Sequence, residues 1–419
     1  LSTEEVSALL RYAHEHRVPV TPRGAGTNLV GSTVPLEGGI ILDLSRMDRV
    51  LELDEDTMTV TVEPGMLLQD LQAYVEARGL FYPPDPGEKA SSIGGNISTN
   101  AGGMRAVKYG VTRDYVRGLE VVLADGTVMQ VGGKQVKDAS GLSLKHLLIG
   151  SEGTLAVITK CLLRLVPKPE ASLSVLVPYA DLKTGIQSVL TILRANANPT
   201  AVEFMERKVV ALGERFCGVS YPRPDAGSYI LLTFDGRSEE VTANAARVRS
   251  LALQNGALDF IELSDARQCA DIWRVRGALV KAVSEQEPVD IVVPISRTAD
   301  FIRFINDLEA QSGMQMVSFG HAGDGNVHLC VVRGERDEET WQRELHENMD
   351  RAYAEAYRLG GVASGEHGIG LSKRPYFLRQ TAKENLQAMN AIKTALDPQH
   401  ILNNGKSYLT GGNNNAGTF

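Results

Sequence analysis

At Pro167-Lys168-Pro169 the rhythm of this sequence changes, and any fold it adopts must accommodate two different halves. A proline pair flanking a lysine reads as a linker, because proline fixes φ and interrupts helices and ladders alike. Before it, short strand-like runs are separated by three glycine-rich loops. After it, strands alternate with helices and end in a hairpin. A chain of 419 residues is too long for one hydrophobic core, so two or three domains are expected.

In the first half, Ser2-Thr3-Glu4-Glu5 reads as a capping box ahead of a helix whose apolar stripe is Val6, Leu9, Leu10 and Ala13. A strand at 18–20 runs into the first loop, Pro22-Arg23-Gly24-Ala25-Gly26-Thr27-Asn28-Leu29-Val30-Gly31. Such loops let backbone N–H groups approach phosphate oxygens. Leu29 nevertheless breaks the G-x-G-x-x-G dinucleotide fingerprint, the residues after the loop are strand-like, and no Walker A sequence is present. Taken alone, this loop reads as a plain turn between strands. Further strands are expected at 40–44 and 58–63, then a helix over 67–78 with Gly79 as its C′ residue. From 83 to 103 the chain is rich in glycine, serine and asparagine with no apolar periodicity, a loop length that is usually functional or disordered. Ile93, Ile97, Met104 and Val107 can anchor it, so an ordered loop suited to a large polar cofactor is expected. The third loop, Gly150-Ser151-Glu152-Gly153, opens a strand after a hairpin marked by Asp125-Gly126. Three separated glycine loops on a β-rich frame imply an extended ligand.

In the second half, strands are expected at 173–177, 201–205, 229–234, 258–263 and 290–293, and helices at 182–193, 206–218, 239–254, 264–284 and 298–311. Strands and helices that end in a hairpin suggest an α+β domain whose antiparallel sheet carries helices on one face. A long amphipathic helix over 338–359, closed by Gly360-Gly361, then leads to Ser364-Gly365-Glu366-His367-Gly368.

The hairpin, His321-Ala322-Gly323-Asp324-Gly325-Asn326-Val327-His328, carries the chemistry. Asp-Gly suits a two-residue type I′ turn, which would put His321 directly opposite His328 with Cβ atoms about 5 Å apart. Two imidazole nitrogens could then converge on one divalent metal, Zn, Mn or Fe, with Glu366 as a carboxylate ligand and positions left open for substrate. His367, next to that ligand, would serve proton transfer. A lone pair of histidines at this spacing is equally consistent with a polar surface hairpin; the turn and the Glu-His loop favour the metal.

With 43 Lys+Arg against 51 Asp+Glu, the net charge of −8 argues against a nucleic-acid partner. Cys161, Cys217, Cys269 and Cys330 are far apart, which fits neither a zinc knuckle nor a disulfide framework but does fit a reducing, cytoplasmic compartment. No apolar run reaches the roughly 18 residues of a transmembrane segment, and no signal-peptide pattern is seen. The chain begins at Leu1 rather than Met, so a leading segment can precede it.

Residues 20–160 resemble the FAD domain of the vanillyl-alcohol-oxidase type of flavoproteins. The H-A-G-D-G-N-V-H and G-E-H-G-I-G motifs resemble the branch of D-lactate dehydrogenases, glycolate oxidase large subunits and D-2-hydroxyglutarate dehydrogenases. The resemblance implies an FAD domain over 1–168, an α+β cap with an antiparallel sheet over 169–375 carrying the metal site, and a segment over 376–419 closing on the flavin. It places the FAD pyrophosphate on Pro22, Arg23, Gly24, Ala25, Gly26, Thr27 and Asn28. Pro84, Gly87, Ser91, Gly94, Gly95, Ser98, Thr99, Asn100, Gly102 and Gly103 would line the flavin, and Gly150, Glu152, Gly153, Ile158 and Asn403 would complete the site. None of these loops contains His or Cys, so non-covalent FAD is implied. Many members read Asn-Pro-Gly-Lys where this chain has Asn403-Asn404-Gly405-Lys406, and the tail 411–419 is expected to be flexible.

By motif, Arg276 matches the arginine that grips the substrate carboxylate, a task suited to a guanidinium fork. Members acting on dicarboxylates carry further basic groups after it, whereas Val280 and Glu287-Pro288-Val289-Asp290 stand here, which favours a small monocarboxylate. The implied reaction is oxidation of D-lactate to pyruvate, with hydride to flavin N5 and His367 as base. No nicotinamide fingerprint and no cysteine cluster are present, so electrons would pass to oxygen, a quinone, an electron-transfer flavoprotein or an iron–sulfur subunit, the last two within a membrane-bound or multi-subunit complex. A metallohydrolase using the same histidines leaves the glycine loops unexplained. A non-catalytic electron-relay subunit leaves the metal ligands without a task.

Overall fold

The computed structural model describes residues 2–408; the tail 411–419 lies outside them. The chain forms two units. The first gathers the chain up to Gly103, then Gly110–Lys168, then everything described from Glu366 onward, while the second holds Met104–Tyr109 and Pro169–Gly365. The sequence set the last boundary at 375/376; the structure sets it at 365/366.

In the first unit the capping box forms as written. Ser2 Oγ accepts from Glu5 N–H at 3.3 Å and the Glu5 carboxylate accepts from Ser2 N–H at 2.8 Å, starting helix Thr3–His16. Its stripe of Val6, Leu10 and Ala13 packs with Val20, Leu42, Val122 and Val157, and with Ile401 and Leu402 from the far end of the chain. Val20–Arg23 pairs in parallel with Ile40–Asp43, and Val20 also bridges Leu402. Beside this lies a five-stranded antiparallel sheet in the order Val50–Asp54, Thr59–Val62, Val157–Arg164, Val116–Val122, Val128–Gly132.

The second glycine segment is not all loop, because Ile93–Thr99 is a helix capped by Ser92. Glycine is a poor helix former, so the Ile-Gly-Gly start hid it. The reason for glycine is space: a Cβ on Gly94 would lie 2.6 Å from Pro64 Cβ.

The last helix, Lys383–Leu396, is fastened by an ion pair with no solvent exposure on either side chain. Lys393 Nζ donates to Asp397 at 2.5 Å and to the carbonyls of Thr154 and Leu402 at 2.8 Å, while Asp397 accepts from the backbone N–H of Ile401 and Leu402. Burial pushes the Lys393 pKa down, opposed by Asp397. Removing one partner of such a pair strands a buried charge, so Lys393→Ala is expected to cost about 3–5 kcal/mol of stability. Urea unfolding of the variant beside the wild type checks this; a loss below about 1 kcal/mol would contradict it.

The second unit is a seven-stranded sheet, antiparallel throughout. Its order is Ile261–Glu262, Ala171–Tyr179, Ser228–Gly236, Ala201–Glu206, Met316–His321, Asn326–Val332, Gln286–Val292. Helices cover both faces rather than one. Leu176, Met205, Leu231 and Phe319 pack with helices Arg207–Cys217 and Ala266–Ala278. On the other face, Tyr179 and Ile230 meet Gly185 of helix Leu182–Arg194, and the Tyr179 hydroxyl donates to Ser188 at 2.6 Å. The physical reason lies in the central strands, whose consecutive residues Tyr229 to Leu232 are all fully buried, so both faces need covering. The short helix Ala106–Tyr109 joins this unit through Asp235, which accepts from Lys108 Nζ at 2.5 Å and from the Tyr109 hydroxyl at 2.9 Å. Among the described residues, no helix is long and apolar enough to cross a membrane.

Candidate active site

In the second unit, a polar line crosses four neighbouring strands on one face. Glu203 pairs with His321, His321 with Asn326, and His328, two residues on, with Asp290. The hairpin turn is four residues long, 322–325, rather than two, with Gly325 N–H donating to His321 O at 3.1 Å. Gly325 sits at φ +82°, and a Cβ there would lie 2.0 Å from Val293 O. His328 therefore stands opposite Phe319, not His321. A shift of two residues keeps side chains on their face, so the two imidazoles still meet, as diagonal neighbours. Their Nε2 atoms are 3.3 Å apart.

That separation suits a metal. Two nitrogens 3.3 Å apart, each at roughly 2.0–2.1 Å from one ion, subtend about 105° at it, close to the angle of tetrahedral coordination. Behind them, Glu203 has no solvent exposure. Its Oε1 lies 2.5 Å from His321 Nδ1, and its Oε2 accepts from Arg276 Nε at 2.7 Å and Nη2 at 2.5 Å. Burial would raise this carboxyl, but the charge of Arg276 and the hydrogen bonds from His321 and Arg276 hold it below the usual carboxylate range. One edge of the Arg276 fork, Nε and Nη2, is thus committed to Glu203. At the other end of the line, buried Asp290 accepts from Asn326 Nδ2 at 2.5 Å, Ser364 Oγ at 2.9 Å and Gly365 N–H at 3.0 Å.

Glu366 and His367 open the returning segment of the first unit. His367 Nε2 lies 3.8 Å from Glu366 Oε1, and the His367 carbonyl accepts from Asn28 Nδ2 at 3.3 Å. Glu366 Oε2 would be 3.2 Å from a Cβ on Gly102, so that glycine leaves room for the carboxylate.

The same unit brings the three glycine loops together. A Cβ on Gly24 would lie 2.1 Å from Ser92 Oγ, which also accepts from Ala25 N–H at 3.2 Å. Gly153, at φ +72°, would place a Cβ 3.2 Å from Pro22 Cγ. Gly150 and Glu152 donate backbone hydrogen bonds to Ile97 O and Ser98 O. Arg23 ends its strand with its guanidinium over Gly26, next to Thr27. Gly103, at φ +121°, comes within a Cβ's reach of Asp85 O, whereas nothing lies within 4 Å of a Cβ on Gly87. Gly95 packs on the Ser92 cap, the Pro84 carbonyl accepts from Gln72, and Ile158 is buried in its strand.

Several side chains expected to bind the cofactor are turned to the protein. Asn28 Oδ1 accepts from Val30 and Ser32 N–H, Ser98 and Thr99 bond back to Gly94 O and Gly95 O, and Asn100 Oδ1 accepts from Arg113 N–H. The Glu152 carboxylate accepts from Ser32 Oγ, Ser407 Oγ and the N–H groups of Ile369 and Gly370. Asn403 reaches Ser32 O and Glu152 O, and buried Lys406, whose pKa burial lowers to about 8, donates to Asn403 and Ser32. Glu152, Asn403 and Lys406 thus tie together the first and third loops, the segment after His367 and the closing segment. The hydroxyls of Ser91 and Tyr82 are buried with no hydrogen-bond partner among the described residues. Orphaned donors beside a glycine cradle fit a large polar ligand.

Glu203 and Asp290 were not singled out from the sequence. Each is an acid inside an apolar run, Ala-Val-Glu-Phe-Met and Val-Asp-Ile-Val-Val, and that placement is the signal that could have found them, since a buried charge must have partners.

Two family models cover most of the chain: "FAD binding domain" over residues 1–132 and "FAD linked oxidases, C-terminal domain" over 168–407. The D-lactate dehydrogenase of Anaerostipes hadrus is 41% identical, covering 97% of this chain and 87% of its own. Glycolate oxidase subunit GlcD of Bacillus subtilis is 39% identical with the same coverage, and the D-2-hydroxyglutarate dehydrogenase of Stutzerimonas stutzeri is 31% identical, with 97% and 89% covered. Among solved structures, p-cresol methylhydroxylase with substrate bound superimposes with a TM-score of 0.79 over 97% of this chain and 87% of that one, at 16% identity, which shows the shared fold. With the glycine loops assembled in one unit and family models matched along both halves, the chain belongs to the FAD-linked oxidases, in the branch of D-lactate dehydrogenases and glycolate oxidase GlcD subunits.

Proposed function

We propose that the protein oxidises a small D-2-hydroxy acid, D-lactate to pyruvate above others, with FAD and a divalent metal, Zn, Mn or Fe, held by His321, His328 and Glu366. The observation that carries this reading is the 3.3 Å approach of two imidazole nitrogens backed by a buried glutamate paired with Arg276, in a chain of this family. When bound, non-covalent FAD supplies the hydride acceptor and the metal supplies a Lewis acid that lowers the substrate hydroxyl pKa. His367 takes the hydroxyl proton. Arg276 meets the substrate carboxylate with its Nη1 end. Asp290, by holding Ser364 and Gly365, fixes the chain one peptide bond before Glu366. Electrons then go to an electron-transfer flavoprotein, an iron–sulfur subunit or a quinone, with the enzyme itself in the cytoplasm.

Anaerobic D-lactate should bleach the flavin absorbance of the purified, metal-replete protein without added nicotinamide. A flavin that no D-2-hydroxy acid reduces would sink the reading. D-Lactate should also exceed D-2-hydroxyglutarate in kcat/KM by on the order of 10²-fold, because burying a second carboxylate without a basic partner costs several kcal/mol. The higher identity to the D-lactate dehydrogenase than to the D-2-hydroxyglutarate enzyme, 41% against 31%, supports the same order. Equal efficiencies on the two acids would overturn this preference.

A further inference from the structure

We propose that Glu203 is a positioning residue that couples metal binding to recognition of the substrate carboxylate, an inference that rests on the metal reading above. One oxygen holds the His321 ring as a metal donor and the other sets the edge that Arg276 turns to substrate. The two jobs fall on two atoms of one buried side chain: Oε1 faces His321 Nδ1 at 2.5 Å, and Oε2 takes both Nε and Nη2 of Arg276.

A carboxylate whose Oε2 already takes two N–H groups of a guanidinium offers only an acceptor at Oε1, so the hydrogen of the 2.5 Å contact belongs to His321 Nδ1. The lone pair of the neutral ring then sits on Nε2, the atom 3.3 Å from His328 Nε2. Outer carboxylates of this kind orient metal-ligating histidines and raise their basicity. What is particular here is that the same carboxylate is also the Arg276 anchor, so neither the ring nor the guanidinium can reorient without disturbing the other. The strand pairing fixes this further, since Glu203 is the register partner of His321.

Glutamine matches this side chain in size but not in symmetry. In Glu203→Gln, either the NH₂ faces His321, which drives the ring hydrogen to Nε2 and blocks the metal, or it faces Arg276 and sets donor against donor. On FAD-loaded protein, Mn²⁺ affinity measured by equilibrium dialysis should fall roughly 10–100-fold, with unchanged flavin content. With metal saturating, the KM for D-lactate should rise while kcat changes little, a split that general loosening of the fold would not give. If wild-type protein binds no Mn²⁺ or Zn²⁺, the metal reading falls and this inference with it. If wild type binds and Glu203→Gln binds equally well, the inference alone is overturned. Should the variant fail to fold, ¹⁵N NMR of histidine-labelled wild type decides: hydrogen on His321 Nδ1 supports the assignment, and hydrogen on Nε2 alone refutes it.

Discussion

Replacing His321 by alanine is expected to strip the divalent metal from the protein and lower kcat by on the order of 10³-fold, while FAD stays bound. The rate follows from the several kcal/mol that a Lewis acid contributes to developing charge in the transition state, at about 1.4 kcal/mol per decade. The retained flavin follows from the architecture: His321 lies in the seven-stranded sheet of the second unit, and the glycine loops are all in the first. His328→Ala should behave alike, because either ring alone is a weak site. Elemental analysis together with the flavin spectrum checks both halves. Loss of flavin from either variant would show that the two cofactors are not held separately.

His367→Asn is expected to lose roughly 10²–10⁴ in rate, the usual scale for removing a general base, while keeping metal and FAD. Asparagine preserves polarity and size, and the position is held by backbone bonds that the substitution does not touch, since Asn28 binds the His367 carbonyl and Glu152 takes the N–H groups of Ile369 and Gly370. If His367 were a metal ligand, the variant would lose metal. Single-turnover flavin reduction and metal content measured on the same sample separate the roles, and a metal-replete variant reducing flavin at the wild-type rate would exclude both.

Local chemistry was legible wherever one rule decided the outcome. The capping box, the cap helices and most cap strands come from spacing alone. The histidine pair was found through a wrong turn: the loop has four residues, but the error of two preserved the face, whereas an error of one would have parted the rings. Helix Ile93–Thr99 was hidden because its glycines answer to Pro64 and not to helix propensity. The side chains of Glu152 and Asn403 turn to partners more than 200 residues away in sequence, which no local pattern encodes. Arg276 showed a charge but not its anchor, because the partnership of Glu203 with His321 and Arg276 is visible only once the strands are paired.

The first unit is made from three stretches of chain, and its core cluster needs Ile401 and Leu402 beside Val6, Leu10 and Val20. Domains generally fold in the order they are synthesised, but the discontinuity of the first unit predicts the reverse here. The segment Pro169–Gly365 is contiguous and has all seven strands once Val332 is made, whereas the core cluster of the first unit lacks Ile401 and Leu402 until they are made. During translation the first unit is therefore expected to be the later of the two to close its core. A chain ending just after Gly365 is expected to keep the whole of the seven-stranded unit's contiguous stretch and to leave the first unit without Ile401 and Leu402 in its core.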